Sequence, residues 1–162
     1  MQIDGKKILV TNRGGNNAVI STVLEVIADN LGCCDEIVRD LRGKDLLTQC
    51  YSIFDYVYNN VQYIEDDGYN QYIKTPARTL HDGFADCKSM TVLIVCCLYS
   101  LGIPAIVRFV DFIGNKIYTH VYAVAVNPRG GEIIIDPVER VNNEPKFDFA
   151  SNYKNKLDYK IG

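Results

Sequence analysis

The chain has 162 residues, enough for one domain with a real hydrophobic core and too few for two of ordinary size. Hydrophobic residues make up 48% and charged residues 23%, a globular balance that excludes wholesale disorder. Seventeen basic against twenty acidic side chains, a net charge of −3, give no basic footprint for nucleic acid.

KKILVTN (6–12) predicts a short strand, and residues 12–17 a loop. The two glycines of that loop lack the GxxxxGK[ST] frame of a phosphate loop, so no nucleotide is expected. Val19, Val23, Val26, Ile27 and Leu31 recur at helical spacing, predicting a helix from 18 to 31 that Gly32 stops. Further helical segments are expected over 34–48 and 52–64, the latter closed by the acidic run 65–68. Residues 73–75 precede Pro76 and are expected extended. Residues 87–101 are apolar on almost every helical face, which predicts a central helix buried all round and too short to span a membrane. Gly102 and Pro104 end it.

From there the period becomes two. AIVRFVDFI (105–113), KIYTHVYAVAV (116–126) and GEIIID (131–136) read as three strands joined by turns at 114–115 and 128–131. The stretch 143–162, polar and poor in aliphatics, is expected to wrap the surface or fray. Helices followed by an antiparallel sheet make an α+β domain over 1–162.

Six cysteines are even in number, but Cys33-Cys34 and Cys96-Cys97 are adjacent pairs, and the start MQIDGKKILV holds no apolar stretch long enough for a secretory signal. All six are therefore read as thiols in the cytoplasm, with Cys96 and Cys97 buried in the central helix. No C-x2-C pair occurs and there are only two histidines, so no metal and no cofactor are expected.

The strongest local signal is GFADCKS (83–89), which starts the central helix with Cys87. Unpaired N–H groups and the positive end of the helix dipole favour a thiolate there. Asp86 reads as the N-cap, Lys88 as a solvent-exposed neighbour, and Cys87 as accessible. His120 lies within the strand 116–126, and Asp136 ends the next one before Pro137. Paired as a hairpin, they become neighbours, the aspartate fixing the tautomer and the imidazole serving as base. Gln62, Tyr63 and Gln71 are candidate side-chain oxyanion donors; His81 reads as a rim residue, and Tyr118 and Tyr122 as packing.

The blocks TPARTLHDGFADCKSM, LYSLGIPAIVRF, THVYAVAV and IIIDPV resemble the transglutaminase-like superfamily of papain-related cysteine enzymes, especially its small bacterial and phage-associated members. The motif-bearing region is 60–138. The resemblance implies a papain-like or transglutaminase-like core, with the cysteine-bearing helix packed on an antiparallel sheet. It assigns Cys87 as nucleophile, His120 as general base and Asp136 as orienting acid. The implied activity is amide or peptide hydrolysis through a thioester on a protein, peptide or other amide-bearing substrate. Transamidation, or a non-catalytic module in phage or mobile-element assembly, is the alternative. Departures are Ala85 where many members have glycine, Lys88 where they have an acid, and Val121-Tyr122 in place of a tryptophan after the histidine.

Overall fold

The computed structural model describes residues 7–11, 15–66, 70–138 and 140–162. The predicted first strand is β1 (Lys7–Thr11), paired antiparallel with β3 (Asn70–Lys74), the extended approach to Pro76. Helix α1 (Gly15–Asp29) starts three residues before the predicted helix; the remainder of the expected loop, 12–14, lies outside the described residues. Its apolar stripe of Ile20, Val23, Val26 and Ile27 is buried.

The helix expected over 34–48 is not formed. The chain passes through tight turns and a short 3-10 helix (Arg39–Leu41), then Gly43 takes a left-handed φ of 81°. A continuous helix cannot pass through that conformation. Asp45 restarts the backbone by accepting from the Thr48 N–H, so α2 runs from Leu46 to Asn60, earlier than the predicted 52–64. Beyond it, β2 (Gln62–Tyr63) pairs parallel with β4 (Phe84–Ala85). Between them lies an unanticipated short helix, α3 (Pro76–Asp82), although its punctuation is visible in the chain. Thr75 caps it, Pro76 occupies its start, and Gly83 ends it at φ 73°.

The central helix is α4 (Cys87–Ser100), and every residue from Cys87 to Leu98 is buried. It packs against the sheet on one side and against α1, α2 and α3 elsewhere. Val92, Leu93, Ile94, Val95 and Leu98 are wholly enclosed, each stabilising the fold by roughly 1.5–3 kcal/mol relative to exposure. Strands β5 (Ala105–Asp111), β6 (His120–Val126) and β7 (Glu132–Ile135) follow in the predicted order and all pair antiparallel.

Two segments depart from expectation. Residues 112–113 and 116–119, at the facing ends of two predicted strands, are loop, not strand. The Asp111 carboxylate accepts from the backbone N–H of Ile113, Gly114 and Lys116, and Lys116 sits at φ 60°. A side chain that collects these donors competes with the sheet ladder. The tail, after a small hairpin of β8 (Arg140–Val141) and β9 (Glu144–Pro145), forms strand β10 (Asn155–Ile161) instead of a surface wrap. It pairs with β5 to complete a four-stranded sheet of order β10-β5-β6-β7. Leu157, Tyr159 and Ile161 pack on the main core, while Lys156, Asp158 and Lys160 alternate outward. No helix among the described residues is long and apolar enough to cross a membrane.

On the sheet face away from α4, a smaller cluster of Ile106, Val110, Tyr122 and Val124 adjoins Arg108, which is 3% exposed. Its guanidinium donates two bonds to Asp158 on β10, at 2.8 and 3.0 Å, and two to Glu132 on β7, both at 3.0 Å. One buried cation thus spans the sheet from edge to edge. Asp158→Ala, removing the better-buried partner, is expected to lower unfolding free energy by about 1–3 kcal/mol, and Glu132→Ala by less than about 1 kcal/mol. Urea denaturation of both variants checks the order.

Candidate active site

The site is assembled from the first turn of α4, and each polar side chain of that turn binds a different neighbour. Asp86 Oδ1 accepts from the N–H of Lys88 and Ser89, so the cap leaves the N–H of Cys87 untouched. Lys88, expected in solvent, is 8% exposed and its ammonium pairs with the Asp86 carboxylate; Asp66 lies 4.0 Å away. Ser89 Oγ accepts from Lys74 N–H at 3.0 Å and donates to the Tyr72 carbonyl at 3.4 Å, which fastens β3 to the helix start. Thr91 Oγ1 lies 2.8 Å from the Cys87 carbonyl oxygen and 3.3 Å from that of Val121, tying the cysteine's turn to β6.

The β6 edge facing this turn is open. β7 pairs with β6 only from Ala123 onward, because Pro137 cannot continue the ladder. His120 therefore lies beyond the end of β7, and its ring is stacked on Phe112 at 6.1 Å between centroids. Asp136, the first residue after β7, turns one carboxylate oxygen back to the N–H of Val138 at 3.1 Å. Its other oxygen meets His120 Nε2 at 2.7 Å. Nδ1 is then the ring nitrogen left for the Cys87 thiol, which also hydrogen-bonds to the imidazole. His120 and Asp136 are 8% and 2% exposed. The structure thus brings Cys87, His120 and Asp136 together.

The electrostatics follow from this packing. Burial alone would lower the His120 pKa; the hydrogen bonds to Asp136 and Cys87, and their negative charges, outweigh it and push the imidazole up to about 10. Burial raises the Asp86 carboxyl, opposed by the Lys88 charge. For Lys88 burial works downward, but the charges of Asp86 and Cys87 carry the ammonium above its ordinary value.

A cleft of about 650 Å3 opens over Cys87 and His120. Cys87 is 9% exposed, less accessible than expected, and it is reached through this cleft. Gln71 lines the cleft; the clamp of Ser89 on the neighbouring residues of β3 sets it there. Gln62 and Tyr63 instead line a separate cavity of about 430 Å3 beside Met90 and Pro137. Tyr63 still lies within the field of Cys87 and Asp86, which, after burial, raise its phenol. His81 is exposed on α3, Tyr122 is packed in the outer cluster, and Tyr118 borders the cleft.

Two positioning groups escape the sequence reading. Asn16 Oδ1 accepts from Tyr118 N–H at 2.8 Å and its Nδ2 donates to Tyr118 O at 3.4 Å, clamping the loop before His120. Asn155 Nδ2 donates to Asp111 at 2.9 Å and anchors the other end of that loop. Both contacts join residues far apart in the chain, so no local pattern announces them. Among the described residues, no group of three or more His, Cys, Asp or Glu side chains is arranged to hold a metal ion.

The sequence model of the transglutaminase-like superfamily matches residues 34–137, well over half the chain and all three residues of the Cys–His–Asp cluster. The chain belongs to the transglutaminase-like superfamily. Comparison with curated proteins finds no match by sequence. Among solved structures, the fold is similar to calcium-bound LapG of Legionella pneumophila, at 16% identity and TM-score 0.52, covering 74% of this chain and 73% of that one. The EGTA-treated form of LapG is matched at 16% identity and TM-score 0.53, covering 74% and 71%. These likenesses carry the superfamily's α+β fold, with the cysteine helix against an antiparallel sheet.

The raised histidine makes a signed prediction. Because the folded value lies above the unfolded one, near about 6.5, the stabilisation is complete below that pH and is lost as pH rises through about 10. The unfolding free-energy difference between the parent and His120→Gln should therefore shrink across that window. Denaturation curves at a series of pH values measure it, and a difference that grew with pH would contradict the assignment.

Proposed function

We propose that the chain is a cysteine-dependent amide or peptide hydrolase, with Cys87 as nucleophile, His120 as proton carrier and Asp136 as the group that orients it. One observation carries this reading. A thiol at the N-terminus of a buried helix hydrogen-bonds to an imidazole whose Nε2 meets a buried aspartate at 2.7 Å, and the thiol opens onto a cleft.

His120, made more basic by Asp136, takes the Cys87 proton and leaves a thiolate to attack. The thiolate attacks the carbonyl carbon, and the C=O π pair moves to oxygen. That oxyanion accepts from the Cys87 N–H, which the Asp86 cap leaves available, and from the Gln71 amide. Collapse expels the amine, which takes the proton from His120, and leaves a thioester. Water then attacks the thioester, gives a proton to His120, and displaces the thiolate with release of the acid. Asn16, Lys116 and Thr119 give the cleft wall a polar, water-compatible character, so water is proposed as the second nucleophile over an amine.

Cys87→Ala is expected to fold, since alanine suits a helix start, and to lose capture by a thiol-directed peptide probe. His120→Ala should capture much more slowly near neutral pH, and Gln71→Ala should cut amide turnover by about 10²- to 10³-fold. Capture kinetics with thermal unfolding for each variant test this. Equal capture by the parent and His120→Ala rejects the proton carrier. A folded parent that resists a broad panel of probes and amides would favour the non-catalytic module.

A further inference from the structure

Among the described residues that line the cleft there is no carboxylate, although the chain carries twenty acidic side chains against seventeen basic ones. Two lysines stand on the lining, and their surroundings differ. The Lys88 ammonium pairs with Asp86 and lies 4.0 Å from Asp66, so two carboxylates stand against one cation. That end of the cleft offers an anion no net attraction. Lys116 is exposed, and among the described residues no carboxylate pairs with its ammonium.

The backbone at Lys116 has a conformation that lysine does not favour. Its φ of 60° lies in the left-handed region, where Cβ crowds the backbone. Among the described residues, the others with positive φ apart from glycine are Asn142, Asn143 and Asp148, whose short polar side chains tolerate that region. Nothing in the turn requires a lysine. Asp111 accepts from the Lys116 N–H at 2.8 Å, a bond that any residue except proline can make. The same carboxylate accepts from the N–H of Ile113 and Gly114 and from the Asn155 amide, so its oxygens are spent on holding the loop. The turn therefore fixes where residue 116 stands on the cleft, and a side chain that strains the backbone occupies the position.

We propose that Lys116 is a specificity-determining residue, selecting peptide substrates that carry an acidic side chain where they pass this end of the cleft. The inference rests on the cleft being the substrate site, as proposed above. Ile117, 53% exposed, stands next to the lysine and lines the cleft with Val19 and Phe109. These apolar groups give the methylenes of a glutamate a surface to lie on while its carboxylate meets the ammonium. An ion pair at a rim open to water is weak. The preference over the neutral isostere is accordingly about two- to fivefold in affinity, and it fades as salt is added.

The test is peptide binding to Cys87→Ala, which lacks the nucleophile, followed by fluorescence anisotropy. The labelled peptides come in matched glutamate and glutamine pairs, with the acidic residue walked along an otherwise uncharged sequence. Tighter binding of the glutamate member is expected at one position of the walk only, because the carboxylates beside Lys88 oppose it at the other end. Added to Cys87→Ala, Lys116→Arg should keep the preference and Lys116→Glu should reverse it. Lys116→Gly should erase it while unfolding at no lower temperature than the parent. Absence of binding, equal binding of the pair at every position, or a glutamate preference that survives Lys116→Glu would each overturn the proposal. So would a marked fall in unfolding temperature in Lys116→Gly, since the lysine would then be serving the fold. Turnover by the parent separates the two readings. Peptides bound with this preference and left uncleaved count against the hydrolase alone, whereas cleavage of both members at equal kcat/KM overturns the specificity and leaves the hydrolase standing.

Discussion

A helix buried along its length must find partners for the polar groups of its first turn, all but the Cys87 N–H at the cleft, and that constraint organises the molecule. The N-terminal N–H groups of α4 have no helical partners, and burial of the helix keeps bulk water from those beyond Cys87. The Asp86 side chain accepts from two of them, those of Lys88 and Ser89, while the buried side chains of Lys88, Ser89 and Thr91 bind outward to the carboxylates of Asp86 and Asp66, to the β3 backbone and to the β6 backbone. The polar bonds required by burial are the same bonds that hold β3 and β6 against Cys87. Stability and site geometry therefore share one set of contacts, and a change to Ser89 or Thr91 acts on both.

The charge pattern follows from the same burial. A carboxylate beside a sulfur disfavours negative charge on it, so Asp86 as a cap taken alone works against the proposed chemistry. Lys88 resolves the conflict. Placed under the cap and largely out of water, it offsets Asp86 in a medium where a few ångströms of charge separation matter far more than at a surface. His120 receives a parallel arrangement from Asp136, whose carboxylate is held by the turn at Pro137. Each of these carboxylates near the sulfur is thus matched by a basic side chain, and His120 is the one proposed to move a proton.

Much of this is legible in the chain because the signals are local and strong. The all-round apolar run of α4, the Asp-Cys junction at its start, and alternation through Val121–Val126 define the helix, its cysteine-bearing end and the histidine strand. What is not legible depends on partners remote in sequence. Residues 34–48 carry helical spacing, but Gly43 in the left-handed region and the cap at Asp45 override it. The tail looks polar because only every second residue is apolar, yet KLDYKI alternates as an edge strand should, and β5 supplies the partner. Lys88 reads as surface by residue type alone; only the enclosed cap shows why a lysine stands there. Gln71 separates from Gln62 and Tyr63 through the Ser89 clamp on β3, a contact no spacing rule contains.

The division of labour between core and periphery has a physical consequence. Cys87, His120 and Asp136 all fall within the stretch matched by the superfamily model, whereas the side chains that hold the loop before His120 do not. Asn16 comes from α1 and grips Tyr118 on both backbone groups; Asn155 comes from β10 and grips Asp111. The loop between those anchors carries Lys116, Ile117, Tyr118 and Thr119 along one wall of the cleft. The Cys87 and His120 side chains are set by α4 and the open edge of β6, while the wall facing them is set from the two ends of the chain. Shifting that wall need not disturb the 2.7 Å contact of histidine and aspartate, because Asp136 is fixed from β7 and its own turn. The Cys87–His120–Asp136 cluster and the cleft wall are thereby held by separate contacts, and the loop at 112–119 is where the fold can change the second without the first.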